Sequence, residues 1–304
     1  VNRLAVTIGN LELKNPILTA SGTFGYGEEF STFIDLNRLG GIVTKAVSFE
    51  PRAGNPLPRI AETAYGMLNS IGLANVGVKN FIADKLPFLK KLDTRVIVNI
   101  AGKTIDEFAS VISEIEAEGG VAGYELNVSC PNVKEGGMSF GASAQITAAV
   151  TAKARSVTKA CLIVKLSPNV TSIGEIARAA EAAGADALSV INTVVGMAVD
   201  IATKRPKLAT ITGGLSGPAI KPIAIAKVFE VTRSVKIPVI GIGGIMCCAD
   251  VLEFLITGAT AVQVGTANFL NPQISEQLVT DLENYCHQNG IQDINQIIGS
   301  IQIK

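Results

Sequence analysis

The sequence predicts an α/β chain folded as a (β/α)8 barrel, the TIM architecture, with an N-terminal hairpin and long insertions on its C-terminal face. Three observations predict it. Eight short apolar runs have the length and composition of buried parallel strands, and helical patterns lie between most of them. Two segments, EAAGADALSVI (181–191) and LITGATAVQVG (255–265), echo each other as helix, Gly-Ala turn and strand. The two longest connections, 47–94 and 192–237, both follow a strand, so both emerge where such barrels carry their chemistry.

In chain order, VNRLAVTIGNLELKNP alternates around Gly9-Asn10 and reads as a strand pair. The eight barrel strands are expected at 16–20, 41–46, 95–100, 123–128, 161–166, 187–191, 238–242 and 261–265. Thr104 opens a helix with Glu107 three residues on as a capping box, and Ile105, Phe108, Ile112 and Ile115 form its apolar stripe. Ser172 and Glu175 repeat the device, and Gly184 ends that helix. The stretch from Tyr124 to Gly141 begins as a strand, Tyr124, Leu126 and Val128 alternating with Glu125, Asn127 and Ser129. Cys130-Pro131-Asn132 stops it, because proline lacks a backbone donor and restricts its predecessor, and Gly136, Gly137 and Gly141 suit a loop. A thiol thus stands where a strand becomes a loop. Two readings stay open at this point, a small buried hydrophobe and a reactive group.

Composition narrows the class. The 304 residues, 48% of them hydrophobic, suffice for a large core in one domain spanning 1–304. Lys+Arg and Asp+Glu both count 26, and this zero net charge argues against a nucleic-acid binder. Neither a signal pattern nor a bilayer-length apolar run occurs, which predicts a cytoplasmic protein without membrane association. The five cysteines are irregularly spaced with no Cys-x-x-Cys, against a disulfide framework or an iron–sulfur site in this chain. Cys247 and Cys248 are adjacent and are expected to fill a helix start. The sole histidine, His287, sits in a polar C-terminal segment, so neither a Ser-His-Asp triad nor a zinc site is expected, and no metal. A proton must then be taken by Cys, Lys, Asp or Glu.

The strand ends carry Ser21, Lys45, Asn99, Asn127, Lys165 and Asn192. A lysine ending a buried strand needs a partner, either an ion pair inside the barrel or an anionic ligand. Two such lysines with three asparagines favour the ligand. Strand seven ends in Gly241-Ile242-Gly243-Gly244 and strand eight in Gly265-Thr266, where barrels commonly hold phosphate through backbone amides. Gly217, in GGLSGP, adds to this wall.

The segments NPILTASGTFGYG, GGIVTKAVS, GNPLPRIAET, MLNSIGL, NVSCPNVKEGG, VKLSPNV, VINTVVGM, GGLSGPAIKP, GIGGI and VGTANF carry a resemblance over essentially the whole length. The sequence resembles the dihydroorotate dehydrogenases, flavin enzymes of pyrimidine (UMP) biosynthesis. Its loop after Cys130, SPNV and GGLSGPAIKP look most like the NAD-linked class 1B catalytic subunit. The membrane-linked class has an N-terminal extension and a serine base, where this sequence has Cys130.

The resemblance implies FMN as cofactor. Gly243, Gly244, Gly265 and Thr266, with Gly217 nearby, would hold its phosphate. Lys165 would contact the ribityl chain and ring, Lys45 would sit by N1 and O2 of the flavin, and Ser21, Ala46, Asn99, Asn127 and Ile191 would line it. The substrate, dihydroorotate, would meet Lys45, Asn69, Ser70, Ile71, Gly72, Leu73, Asn127, Asn192 and Thr193. Cys130 would take the C5 proton while hydride leaves C6, giving orotate. Electrons would pass to NAD through a partner subunit bearing FAD and a [2Fe-2S] cluster, in a heterotetramer of two catalytic and two electron-transfer chains. Rival readings are a fumarate-using class 1A homodimer, a tRNA dihydrouridine synthase (opposed by the zero net charge), a Schiff-base aldolase using Lys45 or Lys165, and a non-catalytic phosphate-ligand binder.

Overall fold

A computed structural model describes residues 3–128 and 143–303. Eight parallel strands close into a barrel: β3 (Ile17–Thr19), β4 (Gly41–Val43), β7 (Arg95–Ile100), β8 (Gly123–Asn127), β9 (Cys161–Leu166), β10 (Ala187–Val190), β15 (Val239–Ile242) and β16 (Ala261–Val264), neighbours in chain order, with β16 pairing back to β3. The expected strands all form; β7 and β9 have the expected bounds, and the ends of the other six are trimmed by one to three residues. β4 stops early because the Lys45 N–H leaves the ladder for the Gly25 carbonyl at 2.7 Å. Almost every side chain of β8, β9 and β10 is buried, as strands covered on both faces require.

The helices pack outside. In Ile105–Glu118, Phe108, Ile112 and Ile115 are buried and Ile105 packs against the same core. Thr104 Oγ1 accepts the Glu107 N–H at 3.2 Å, but the return arm of the capping box reaches Lys103 N–H instead, at 2.6 Å. Ser172 caps Ile173–Ala182, and Gly184 follows its end with φ +99°. Cys247 caps Cys248–Thr257, as its sequence position suggested.

The strand pair β1 (Val6–Ile8) and β2 (Leu11–Leu13) is antiparallel around Gly9-Asn10. Val6, Ile8, Leu11 and Leu13 turn inward and are buried. The Cys161 thiol donates to the Ile8 carbonyl at 3.5 Å and Arg95 Nε to the Glu12 carbonyl at 2.9 Å. Cys161 and Arg95 begin β9 and β7, so this hairpin closes the N-terminal end of the barrel and leaves the other end open to a ligand.

Sequence periodicity did not anticipate the architecture of the long connections. β5 (Ile60–Thr63) and β6 (Gly66–Asn69) come from the first; β11 (Val194–Met197) and β14 (Thr212–Ser216) come from the second. They join as one antiparallel sheet in the order β11-β14-β6-β5. Between β11 and β14 the second connection also forms a small antiparallel pair, β12 (Val199–Asp200) and β13 (Arg205–Pro206). Gly66 is required where β6 meets β14, since a Cβ there would collide with the Ser216 carbonyl. No helix among the described residues is long and apolar enough to cross a membrane.

Candidate active site

The C-terminal strand ends and the four-stranded sheet enclose a cavity of about 690 Å³. Lys45 follows β4 and Lys165 lies near the end of β9, beside Asn127 of β8 in register. Asn192, just past β10, donates through Nδ2 to Asn127 Oδ1 at 3.4 Å, so the two carboxamides form one hydrogen-bonding surface. Asn192 Oδ1 also accepts the Thr193 N–H at 2.8 Å, which fixes the start of the following loop. Among the described residues lining the cavity are two lysines and no aspartate or glutamate. Such a wall attracts an anionic, planar, hydrogen-bonding ligand.

One side is the segment after β6. Asn69 Nδ2 donates to the Gly214 carbonyl at 3.3 Å, and the Ser70 N–H to the Arg59 carbonyl at 2.8 Å. Asn55 Nδ2 holds the Ser70 carbonyl at 2.9 Å. Leu73, at φ +57°, is a non-glycine residue in the left-handed region, a conformation that costs on the order of 1–3 kcal/mol and concentrates at ligand sites. Ser70 Oγ is buried with no partner among the described residues, a hydroxyl placed to serve a ligand.

At the opposite end, Gly243 and Gly244 turn after β15 with φ of +135° and +73°. The turn is fixed from behind. Asp250 Oδ2 accepts the N–H groups of Met246 at 2.7 Å and Cys247 at 3.0 Å, while Oδ1 meets Lys221 Nζ at 2.6 Å. Lys221 also reaches Glu253 Oε1 at 2.6 Å. Hydrogen bonds to Asp250 and Glu253 push the Lys221 ammonium up to about 12. Burial opposes ionisation of Asp250, yet Lys221 and the Met246 amide outweigh it and hold its carboxyl below the usual range. Gly265 lies at the same end, packed so that a Cβ there would touch Ala20 Cβ at 3.4 Å. Thr266 Oγ1 donates to Ser216 Oγ at 2.8 Å, tying the β16 turn to the sheet.

Every residue expected to touch cofactor or substrate lines this cavity, with two exceptions. Asn99 is fully buried one layer beneath it, where Nδ2 donates to Glu125 Oε1 at 2.7 Å. Cys130 lies outside the described residues; Val128, two positions before it, is buried at the end of β8. Thr23, Asn55, Ser167, Asn169, Ser216 and Phe269 also line the cavity and were not singled out from sequence. Asn55, Asn169 and Ser216 lie inside GNPLPR, SPNV and GGLSGP, so the motifs held the signal although the individual side chains were passed over.

The residues present suit a flavin mononucleotide. Two glycine turns stand at one end, two cations and two carboxamides face the middle, and a hydroxyl without a partner among the described residues stands near the other end.

Comparison with known proteins identifies the family. Residues 3–285 match the dihydroorotate dehydrogenase family. A protein of Trichlorobacter lovleyi, described as dihydroorotate dehydrogenase B (NAD(+)), catalytic subunit, is 56% identical over 299 residues, covering 98% of both chains. Proteins of the same description from Geotalea daltonii and Desulforamulus reducens are each 53% identical over 300 residues, covering 99% of this chain and 98% and 99% of theirs. With a closed eight-stranded barrel, a cation-lined cavity at its C-terminal end and this similarity over nearly its whole length, the chain belongs to the dihydroorotate dehydrogenase family.

Proposed function

We propose that this chain is the catalytic subunit of an NAD-linked dihydroorotate dehydrogenase, which oxidises (S)-dihydroorotate to orotate in pyrimidine biosynthesis. The observation that carries the reading is the cavity itself: lysines and carboxamides without a lining carboxylate, ending in glycine turns. Gly243, Gly244, Gly265 and Thr266, with Gly217 beside them, hold the phosphate of FMN; Lys165, Ser21, Ala46 and Ile191 stand along the rest of it. FMN, when bound, supplies an acceptor for the hydride from C6. Lys45 offers a fixed positive charge on the cavity wall, which favours a ligand that gains negative charge. Asn127 and Asn192, already hydrogen-bonded to each other, present donors and acceptors to the flat substrate ring. The turn after β6 meets the substrate carboxylate through the backbone N–H groups of Ile71, Gly72 and Leu73 and the Ser70 hydroxyl, the Ser70 N–H being held by the Arg59 carbonyl. Cys130, three residues past the end of β8 in sequence, takes the C5 proton. A thiol with an ordinary pKa of roughly 8.5 serves as a base near neutrality only when it is partly ionised or ionises as the proton is transferred.

The chain has no dinucleotide-binding motif and no Cys-x-x-Cys. NAD reduction therefore belongs to a separate electron-transfer subunit carrying FAD and a [2Fe-2S] cluster, two of each chain assembling together in the cytoplasm. The relatives' description as a catalytic subunit supports such a partner. The test is acceptor choice. The purified chain should release FMN on denaturation, identified by mass, and should reduce an artificial dye with dihydroorotate but not NAD. Efficient NAD reduction by the isolated chain overturns the partner, and release of FAD overturns the cofactor.

A further inference from the structure

Beneath the cavity lies a carboxylate that the reaction as described does not use. Glu125 points into the barrel from β8 and is fully buried. Donors from four other strands converge on its two oxygens. Asn99 Nδ2 of β7 reaches Oε1 at 2.7 Å; Ser189 Oγ of β10 and Gln263 Nε2 of β16 reach Oε2 at 2.8 and 2.6 Å. Lys165 Nζ of β9 lies 3.8 Å from Oε1. Lys165 is therefore at once a wall of the cavity and the ionic partner of the residue below it. A fully buried charge is retained in a core only with such a set of partners, and apolar residues fill the same position at lower cost.

Charge counting shows what the arrangement does. The lining has two cations, Lys45 and Lys165, and no anion among the described residues. Glu125 offsets one of them from one layer away. Any group in the cavity that gains negative charge on reduction then feels roughly one net positive charge instead of two, because screening is weak in a dry interior. We propose that Glu125 is a positioning residue that holds Lys165 and Asn99 in place and lowers the reduction potential of flavin bound above them. This inference rests on the flavin reading of the cavity. It also suits an enzyme that must pass electrons onward, since a flavin held at lower potential gives them up more readily.

The network tolerates a conservative probe. Asn99 Oδ1 and Gln263 Oε1 are buried without partners among the described residues, so either carboxamide can turn over and accept from an amide placed at position 125. In Glu125→Gln, the full chain loaded with FMN should keep its flavin spectrum. Its oxidised–reduced equilibrium, read against a reference dye, should shift toward the reduced form by about tenfold, a rise of about 30 mV for a two-electron couple. Glu125→Asp keeps the charge and should return the potential most of the way to the parent value. An unchanged or lowered potential in Glu125→Gln with FMN bound overturns the proposal. A parent chain that takes up no FMN overturns the flavin reading instead. Should Glu125→Gln give no folded chain, Ser189→Ala decides. It removes a hydroxyl donor, leaves the carboxylate less compensated, and should move the potential downward; an unchanged or raised value there also overturns the proposal.

Discussion

Cys130 carries the sharpest consequence for single side chains. If it is the base, Cys130→Ala should retain FMN and still bind orotate, whose proposed contacts come from Lys45, Asn69, Asn127 and Asn192. Flavin bleaching by dihydroorotate, followed by rapid mixing, should slow by roughly 10²–10⁴-fold, the range for losing a positioned acid–base group. A hydroxyl is a much weaker acid than a thiol. The residual rate of Cys130→Ser should therefore climb further into the alkaline range than that of the parent. Bleaching of Cys130→Ala at the parent rate places the base elsewhere. The residue types at the strand ends were legible in the sequence because polar groups interrupt otherwise apolar runs. Depth was not. Asn99 stands in a strand whose other residues beyond Arg95 are all buried and apolar, so no alternation marks how far along the barrel it lies. Only its register opposite Glu125 shows that it sits below the cavity and not on its wall.

Among the elements, the turn after β15 depends on a helix that contributes nothing else to the cavity. Asp250, in the first turn of Cys248–Thr257, accepts two amides of the preceding loop. Asp250→Asn should weaken FMN binding by roughly 5–30-fold, as expected for losing about 1–2 kcal/mol of charge-assisted hydrogen bonding, measured by quenching of flavin fluorescence. Unchanged affinity shows that the turn holds its shape unaided. The pH dependence has a defined sign. Lys221 is raised in the folded chain from 10.5 to about 12, so its contribution to stability is complete below 10.5 and is lost as pH climbs through about 12. Asp250 is lowered, so its contribution is lost only in acid, as pH falls through its folded value. Thermal unfolding of Lys221→Met across that alkaline interval should show a shallower decline than the parent; parallel curves refute the assignment. Helix starts of this kind were legible in sequence where Ser, Thr and Glu carry them. Cys247 was placed at a helix start, but the Asp250 anchor was missed, because cysteine is an uncommon cap.

Across the whole molecule, the barrel is asymmetric: the β1–β2 hairpin seals one end and the ligand cavity occupies the other. Ile8→Ala, at a fully buried position in the seal, should cost about 2–5 kcal/mol and lower Tm. FMN affinity at the distant end should stay near the parent value. A matching loss of affinity would show that the two ends are coupled. The eight strands were legible because each is a short apolar run between turn signals. The four-stranded sheet over the mouth was not, because its strands are short, glycine-rich and half exposed, and they pair across a long stretch of chain.

That long-range pairing has a consequence in time. Gly214 pairs with Asn69 and Ser216 with Met67, residues made before the third and after the sixth barrel strand. As the nascent polypeptide leaves the ribosome, β6 has β5 on one side, Asn69 opposite Ile60, and lacks its other neighbour until Thr212–Ser216 emerges, after six of the eight barrel strands have been made. This wall of the cavity is therefore among the last features to be completed, and a chain truncated before Thr212 has most of its barrel and an incomplete cavity.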